Sequence, residues 1–285
     1  MHYWLTEEFT RWVREDSPFG DLTTELVVPE GTAVRAVVVA KSRAVAACVS
    51  ELADVLTTLG IRVIKYVKSG EEVKPGQIIM ELEGRADTIL LVERALLNLM
   101  TYLFGVASAT RELVRIVRSV NPNVRVAATR KVLPGLRYLV KRAVRDGGGD
   151  THRYSLSDAV IIKDNHLKIV GSVREAIARV KSKLSFIHRV EVEVEDVEEA
   201  IEAVKAGADA VMLDNMSPKE VSEVLKKLKE LGLRDKVVIE VSGGITPENI
   251  AEYAKLDVDV ISTSYITMNP KKVDLSLEVI EVLRK

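Results

Sequence analysis

The sequence predicts an α/β protein in two parts, an N-terminal α+β region and a C-terminal α/β barrel. Beyond about residue 105, six apolar runs of strand length alternate with helical patterns, as in βαβ units around a parallel sheet. Six or seven such units in about 165 residues suit a closed or nearly closed barrel better than a full eightfold one. Upstream the strands are grouped instead: one strand, a helix, several short strands and then a long apolar helix.

The elements follow from local patterns. Residues 3–15 have the spacing of an amphipathic helix, and Glu15-Asp16-Ser17-Pro18-Phe19-Gly20-Asp21 is a turn-rich acidic loop. Residues 33–41 read as a strand after the Gly31 turn, and 49–59 as a helix that stops at Gly60. The next segment, RVIKYVKSGEEVKPGQIIMELEG, is broken at Ser69-Gly70 and Pro75-Gly76 like a hairpin sheet. It resembles the half-barrel of biotinyl and lipoyl carriers, but no Met-Lys-Met stands at a hairpin tip, which excludes a swinging-arm carrier. Residues 87–104 form an apolar helix containing Arg94. The barrel runs lie at 124–128, 158–162, 189–194, 209–213, 237–241 and 258–262. Helical patterns at 171–183 and 196–206 separate some of them. Ser217-Pro218-Lys219-Glu220 opens another helix with an N-cap Ser and a Glu three residues on, and Thr246-Pro247-Glu248 opens a further one. The expected division is 1–105 for the first domain and 106–285 for a barrel domain ending in a C-terminal helix.

Composition narrows the function. Of 285 residues, 47% are hydrophobic and 29% charged, values of a globular chain and not of a disordered one. Forty-one basic residues face forty-two acidic ones, so bulk charge draws no nucleic acid, although a local basic pocket remains possible. Cys48 is the only cysteine, which excludes an intramolecular disulfide and fits a reducing cytoplasm; its apolar neighbours make it core filler. The N-terminus lacks the pattern of a secretory leader, and no membrane span is expected.

In α/β barrels the chemistry sits at the C-terminal ends of the strands. Reading those ends gives Thr129, Arg130 and Lys131; then Lys163; then Glu191 and Glu193; then Asp214; then Ser242, Gly243 and Gly244; and last Ser262, Thr263 and Ser264. Cations therefore follow the early strands, two carboxylates stand on adjacent strands, and a small-residue loop precedes a helix. Arg and Lys clamp carboxylates and phosphates, and a loop of this kind offers backbone N–H groups to a phosphate. Neighbouring carboxylates can hold Mg²⁺. Of Glu191 and Glu193, one is expected to face the barrel interior. The segment 129–167 adds His152 and Arg153 after the triple glycine Gly147–Gly149, where glycine permits close backbone approach to a ligand. Together these residues describe a site for a small polyanion with a divalent cation. Taken singly, each has an ordinary structural explanation: a strand-end carboxylate is often a helix cap or ion-pair partner, and Ser-Gly-Gly is a common turn.

On these segments the chain resembles the quinolinate phosphoribosyltransferase family. The matching pieces are EDSPFGDLTT, VERALLNLMTYLFGVASAT, TRKVLPGLR, GGGDTHRYSLSDAVIIKDNH, VEVEVEDVEEA, VMLDN and VSGGI, in order along nearly the whole chain. The resemblance implies an N-terminal α/β sandwich, an open seven-stranded α/β barrel, and a homodimer in which one subunit's N-terminal domain caps the other's barrel. It implies a pentosyltransferase that joins quinolinate to phosphoribosyl pyrophosphate and releases pyrophosphate and CO₂, on the route to NAD. Arg130, His152, Arg153 and Lys163 would hold the carboxylates of quinolinate, and Arg94 would reach the partner's site. Thr129 would belong to the same site, with Lys131 near the phosphoribosyl pyrophosphate. Glu193 and Asp214 would face the ribose and Mg²⁺; Ser242, Gly243, Gly244, Thr263, Ser264 and Tyr265 would surround the 5′-phosphate. Lys131 and Lys163 are the nearest proton donors. Departures from the family pattern stand at Ala128, Val132, Thr151, Ser264 and Met268. EDSPFGDLTT and VNPNVRVAATRK are also similar to a sister family, the molybdenum-transport-associated pyrophosphorylase homologues. Such a relative would act on another base, whereas Lys163-Asp164-Asn165-His166 favours the quinolinate enzyme.

Overall fold

The computed structural model describes residues 3–284. In chain order its elements are α1 (Tyr3–Asp16), α2 (Leu22–Val27), β1 (Ala33–Ala40), β2 (Ala44–Val45), α3 (Val49–Thr58), β3 (Arg62–Tyr66), β4 (Glu72–Val73), β5 (Ile78–Arg85) and α4 (Ala86–Val120). There follow β6 (Arg125–Ala128), α5 (Arg137–Asp146), β7 (Val160–Ile162), α6 (Asp164–Val170), α7 (Val173–Lys181), β8 (Val190–Val194), α8 (Val197–Ala206) and β9 (Ala210–Asp214). The chain ends with α9 (Pro218–Glu230), β10 (Val238–Ser242), α10 (Ile250–Ala254), β11 (Val260–Thr263), α11 (Tyr265–Met268) and β12 (Leu275–Arg284). Two compact units result. One comprises 1–109, 142–148 and 270–285, the other 110–141 and 149–269. The boundary expected at residue 105 thus falls inside one continuous helix, α4. Its apolar pattern persists through Leu113, Val114 and Val117, all buried.

The first unit is α+β. Its antiparallel sheet has the order β12-β1-β5-β3, and β2 pairs with β4 in a small ribbon. Leu5 and Phe9 of α1 and Leu52 and Leu56 of α3 are fully buried, the inward stripe of each amphipathic helix. Cys48 is buried at the N-terminus of α3, and burial pushes its thiol pKa up. In α4, Leu96, Met100, Leu103 and Phe104 are buried at i, i+4, i+7 and i+8. This helix is long and apolar enough to cross a membrane, but more than half of its most apolar stretch is buried against the protein, as in a core helix.

The C-terminal segment corrects an expectation. Residues 275–284 form no helix; they are strand β12, antiparallel to β1, with Ala40 opposite Leu275 and Val37 opposite Glu278. The start of LSLEVIEVLR alternates with period two, and an open edge of β1 satisfies its backbone groups. Arg35 pairs with Glu281 and Glu83, and Lys41 with Glu278, so the ladder is also bridged by charge.

The second unit is built on six parallel strands in the order β6-β11-β10-β9-β8-β7. These are the six runs read from the sequence. A seventh place is reduced to a single residue: Asp150 bridges to Ala127 on the free edge of β6, donating to Val126 O at 2.8 Å and accepting from Ala128 N at 3.0 Å. Helix starts are set locally. The Ser217 hydroxyl accepts from Glu220 N, while Glu220 Oε2 accepts from Ser217 N at 2.7 Å; Asp196 caps α8 through Glu199 N at 2.8 Å. In α9, Val221, Val224, Leu225 and Leu228 make the buried face. The helix expected to open at Thr246 begins instead at Ile250. Thr246 N donates to Asn249 Oδ1 at 2.9 Å, which turns the chain one residue-triplet longer before α10.

Gly105 has a position that only glycine fills. It lies inside α4, where alanine has better helix propensity by about 1 kcal/mol. A Cβ there would stand 2.5 Å from Lys271 O and 3.3 Å from Pro270 Cβ. Gly105→Ala should therefore destabilise the protein, by about 1–3 kcal/mol, reversing the usual helical preference. Chemical denaturation decides it; a midpoint equal to or above that of the parent would show that the 270–271 segment yields freely.

Candidate active site

Strand geometry concentrates polar side chains at the C-terminal ends of the parallel sheet. A cavity of about 390 Å³ opens there. Its cationic side is Arg130 and Lys131 after β6, His152 and Arg153 in the loop after Asp150, and Lys163 at the end of β7. Its acidic side is Glu193 of β8, Asp214 of β9 and Glu240 of β10. Thr129, Ser242 and Ser262 add hydroxyls, and Ile161 and Met212 add apolar lining. A second lobe of about 310 Å³ shares Thr129, Lys131, Asp214 and Ser242, and is bounded by Gly243, Gly244, Thr263, Ser264 and Tyr265. Every residue named from the strand ends or from the resemblance lines one of these lobes, except Arg94 and Glu191. Arg94 is exposed on α4, in the first unit.

The smaller lobe is shaped by backbone conformation. Gly243 and Gly244 both have positive φ, 93° and 62°. A Cβ on Gly243 would lie 2.8 Å from the backbone nitrogen of Asn215, itself left-handed at φ 54°. Asn249 Nδ2 donates to Gly244 O at 2.9 Å, and Thr263 Oγ1 donates to Ile245 O at 2.8 Å, so the loop is held from both sides.

In the larger lobe, Lys163 Nζ donates to Glu193 Oε2. Asn215 Nδ2 donates to Asp214 Oδ2 at 2.6 Å. Burial raises the Asp214 carboxyl pKa, and repulsion from Glu193 raises it further, while Lys163 and Lys131 oppose both. Two carboxylates crowded in this way favour a cation between them. Oxygen donors of this type suit Mg²⁺, so Glu193 and Asp214 fit the metal expected of them.

Below them His152 and Glu191 meet Glu240, which sequence reading missed. His152 has φ 51°, a left-handed conformation rare outside glycine. Its Nε2 is 3.1 Å from Glu240 Oε2 and 3.4 Å from Glu191 Oε2. Its Nδ1 accepts from the backbone N–H of Arg153 at 2.8 Å. Both glutamates are nearly inaccessible, at 7% for Glu191 and 4% for Glu240. The expectation that only one of Glu191 and Glu193 turns inward is overturned. Residues i and i+2 of a strand share a face, so Glu193 lines the cavity while Glu191 lies deeper on the same side. Burial raises the Glu191 pKa, His152 lowers it and Glu240 raises it. Burial opposes a charged His152 ring while both carboxylates favour it, and the balance is upward.

Five buried polar atoms around the larger lobe have no hydrogen-bond partner: Nε of Arg130 and Arg153, Oε1 of Glu191 and Glu240, and Oγ of Ser262. Unsatisfied buried groups are rare, and their gathering here marks a place prepared for a polar ligand. A sequence signal existed for the glutamates, since VEVEV and VVIEV each set a charge inside an apolar run.

The fold and the site define an enzyme of the α/β-barrel type that handles small anionic molecules at the mouth of the barrel. The family model for the quinolinate phosphoribosyl transferase C-terminal domain matches residues 106–278, and that for the N-terminal domain matches 21–104. The chain belongs to the quinolinate phosphoribosyltransferase family. A protein of Methanothermobacter thermautotrophicus named "probable nicotinate-nucleotide pyrophosphorylase (carboxylating)" is 46% identical over 94% of this chain and 96% of its own. The human nicotinate-nucleotide pyrophosphorylase (carboxylating) is 34% identical over 94% of this chain and 89% of its own. Among solved structures, NadC from Streptococcus pyogenes superimposes with a TM-score of 0.91 at 31% identity, covering 100% of this chain and 99% of that one.

Lys141 supports the site from behind and has a measurable consequence. It is fully buried, and its Nζ donates to Thr151 O, one residue before His152. Burial lowers its pKa from 10.5 to about 8. Below that value both folded and unfolded chains hold the proton, and the buried charge costs stability. Between about 8 and 10.5 the folded chain has lost a proton that the unfolded chain keeps, so this residue's contribution rises with pH. The stability of the parent relative to Lys141→Met should therefore increase by about 1–2 kcal/mol from pH 7.5 to 9.5. Denaturant titrations of both proteins at the two pH values measure it, and a difference independent of pH would contradict the shift.

Proposed function

We propose that this enzyme transfers the phosphoribosyl group of phosphoribosyl pyrophosphate to the ring nitrogen of quinolinate. The products are nicotinate mononucleotide, pyrophosphate and CO₂, in NAD biosynthesis. The observation that carries this reading is one cavity with a cationic wall, an acidic pair and an adjoining glycine-lined lobe. A dicarboxylate calls for several cations, and Arg130, Arg153 and Lys163, with His152 beside them, supply them. A monocarboxylate such as nicotinate would need fewer. Ile161 and Met212 would lie against the ring, and the loop Ser242-Gly243-Gly244 with Thr263, Ser264 and Tyr265 would take the 5′-phosphate.

The chemistry divides among these residues. Departure of pyrophosphate leaves positive charge on the ribose C1 and O4, which Glu193 and Asp214 stabilise from the acidic side. These two would hold Mg²⁺, which supplies charge neutralisation for the pyrophosphate leaving group when bound. Arg130 and Arg153 aim the pyridine nitrogen at C1, where the new C–N bond forms. The quaternised nitrogen then accepts the electron pair left when the carboxylate on the adjacent carbon departs as CO₂. The resulting ylide carbon takes one proton, and Lys131 and Lys163 are the nearest donors, with Lys163 now paired to Glu193. We further propose a cytoplasmic homodimer in which Arg94, exposed on α4, completes the partner's site.

The test is an assay with Mg²⁺ and phosphoribosyl pyrophosphate, with carboxyl-labelled quinolinate in one arm and nicotinate in the other. Labelled CO₂ and mononucleotide from quinolinate alone are expected. Product from nicotinate alone would keep the phosphoribosyl chemistry and refute the ring, and no product in either arm would favour a base of the sister family. Arg130→Ala should raise KM for quinolinate and lower kcat, reducing kcat/KM at least about tenfold; a value within twofold of the parent would refute its role.

A further inference from the structure

Asn215 follows Asp214 at the end of β9 and lines the smaller lobe. Its backbone is left-handed, at φ 54°, a conformation that asparagine tolerates better than most residues. Two bonds fix it there. Its backbone N–H donates to Ser242 O at 2.9 Å, which ties it to the end of β10, and its Nδ2 donates to Asp214 Oδ2 at 2.6 Å. One residue on, Met216 O accepts from Tyr253 Oη of α10 at 3.0 Å, away from solvent. The chain around Asn215 is therefore held by two neighbouring elements of the barrel.

The side chain is open to the lobe but lies against the glycine loop. A Cβ on Gly243 would stand 2.7 Å from Asn215 Cγ, so the amide can lie there only because residue 243 has none. Asp214 is under the opposite influence. Glu193 repels it, and a carboxylate under repulsion rotates away unless a donor holds it. The Asn215 amide is that donor. Asp214 makes no other hydrogen bond among the described residues, so one oxygen is held and the other is left for a ligand.

We infer that Asn215 is a positioning residue for the phosphoribosyl half of the site: fixed to Ser242 and packed on Gly243, it turns the Asp214 carboxylate towards the ribose. A ribose 5-phosphate has one length between its phosphate and its ring hydroxyls. The loop that takes the phosphate and the carboxylate that meets the hydroxyls must stand in register, and a residue bonded to both sets that register directly. The competing explanation is that Asn215 only lets the chain turn, a task that glycine performs as well.

This inference rests on the two lobes forming the phosphoribosyl site, and the experiment separates the two ideas. Asn215→Gly keeps the left-handed backbone and its bond to Ser242 and removes the amide. Calorimetry without metal should show ribose 5-phosphate binding to this variant about fivefold or more weaker than to the parent, with inorganic phosphate within about twofold. In an Asp214→Ala background the same substitution should change ribose 5-phosphate binding by less than about twofold, because a residue that acts through Asp214 then has nothing to orient. In turnover, KM for phosphoribosyl pyrophosphate should rise about fivefold or more in Asn215→Gly while KM for quinolinate stays within about twofold. Unchanged ribose 5-phosphate binding, an equal loss for inorganic phosphate, or an equal loss in the Asp214→Ala background each overturns the positioning role. Failure of the parent to bind ribose 5-phosphate or to turn over quinolinate would instead refute the function proposed above. The ¹⁵N–H signals of the Asn215 side-chain amide, assigned through Asn215→Gly, then still decide the matter: they should move in Asp214→Ala, and signals that stay in place overturn the inference.

Discussion

A strand in a parallel barrel sends every second side chain into the interior, and in β8 two of those inward places are glutamates. A carboxylate taken out of water costs several kcal/mol unless it meets a cation or a donor. Glu193 and Glu191 therefore dictate much of what surrounds them. Glu193 is met by Lys163 from the neighbouring strand β7. Glu191 is met by His152, which reaches it only because the loop after Asp150 takes a left-handed turn. That turn places Arg153 at the cavity, and the bridge from Asp150 to Ala127 sets where the loop begins.

The electrostatics of the site follow as layers. At depth, an imidazole sits between two carboxylates that favour its charged form. Above it, Arg130 and Arg153 face the cavity without full compensation by the protein, as their unpartnered Nε atoms show. To one side, Glu193 and Asp214 repel each other. An anion beside the arginines and a cation beside the carboxylates relieve both imbalances together. This is the charge distribution that a dianionic ring and a metal-bound pyrophosphate would complete. Preorganised charge of this kind acts on a developing transition state without reorganisation.

Local signals made much of this legible. Short apolar runs marked all six barrel strands, and the Ser-Pro-x-Glu signature placed the start of α9. Strand-end reading found the cations, Glu193, Asp214 and the glycine loop, because barrel chemistry collects at those ends. Other features were not readable for physical reasons. The last ten described residues have a strand pattern that could not be assigned until an open edge of β1 was known. Glu240 reads as a lone charge in an apolar run, and its partner is 88 residues away in sequence.

By itself the sequence determined the alternation of elements, several helix caps and the chemical types at the strand ends. These depend on neighbours a few residues apart, where spacing and side-chain chemistry suffice. Only the tertiary structure decided which of those side chains meet. It paired Lys163 with Glu193, set His152 between Glu191 and Glu240, and folded the C-terminal strand back onto β1. Those contacts join positions from 30 to nearly 250 residues apart, and their energies depend on burial and on closure of the sheet, which no local stretch of sequence contains.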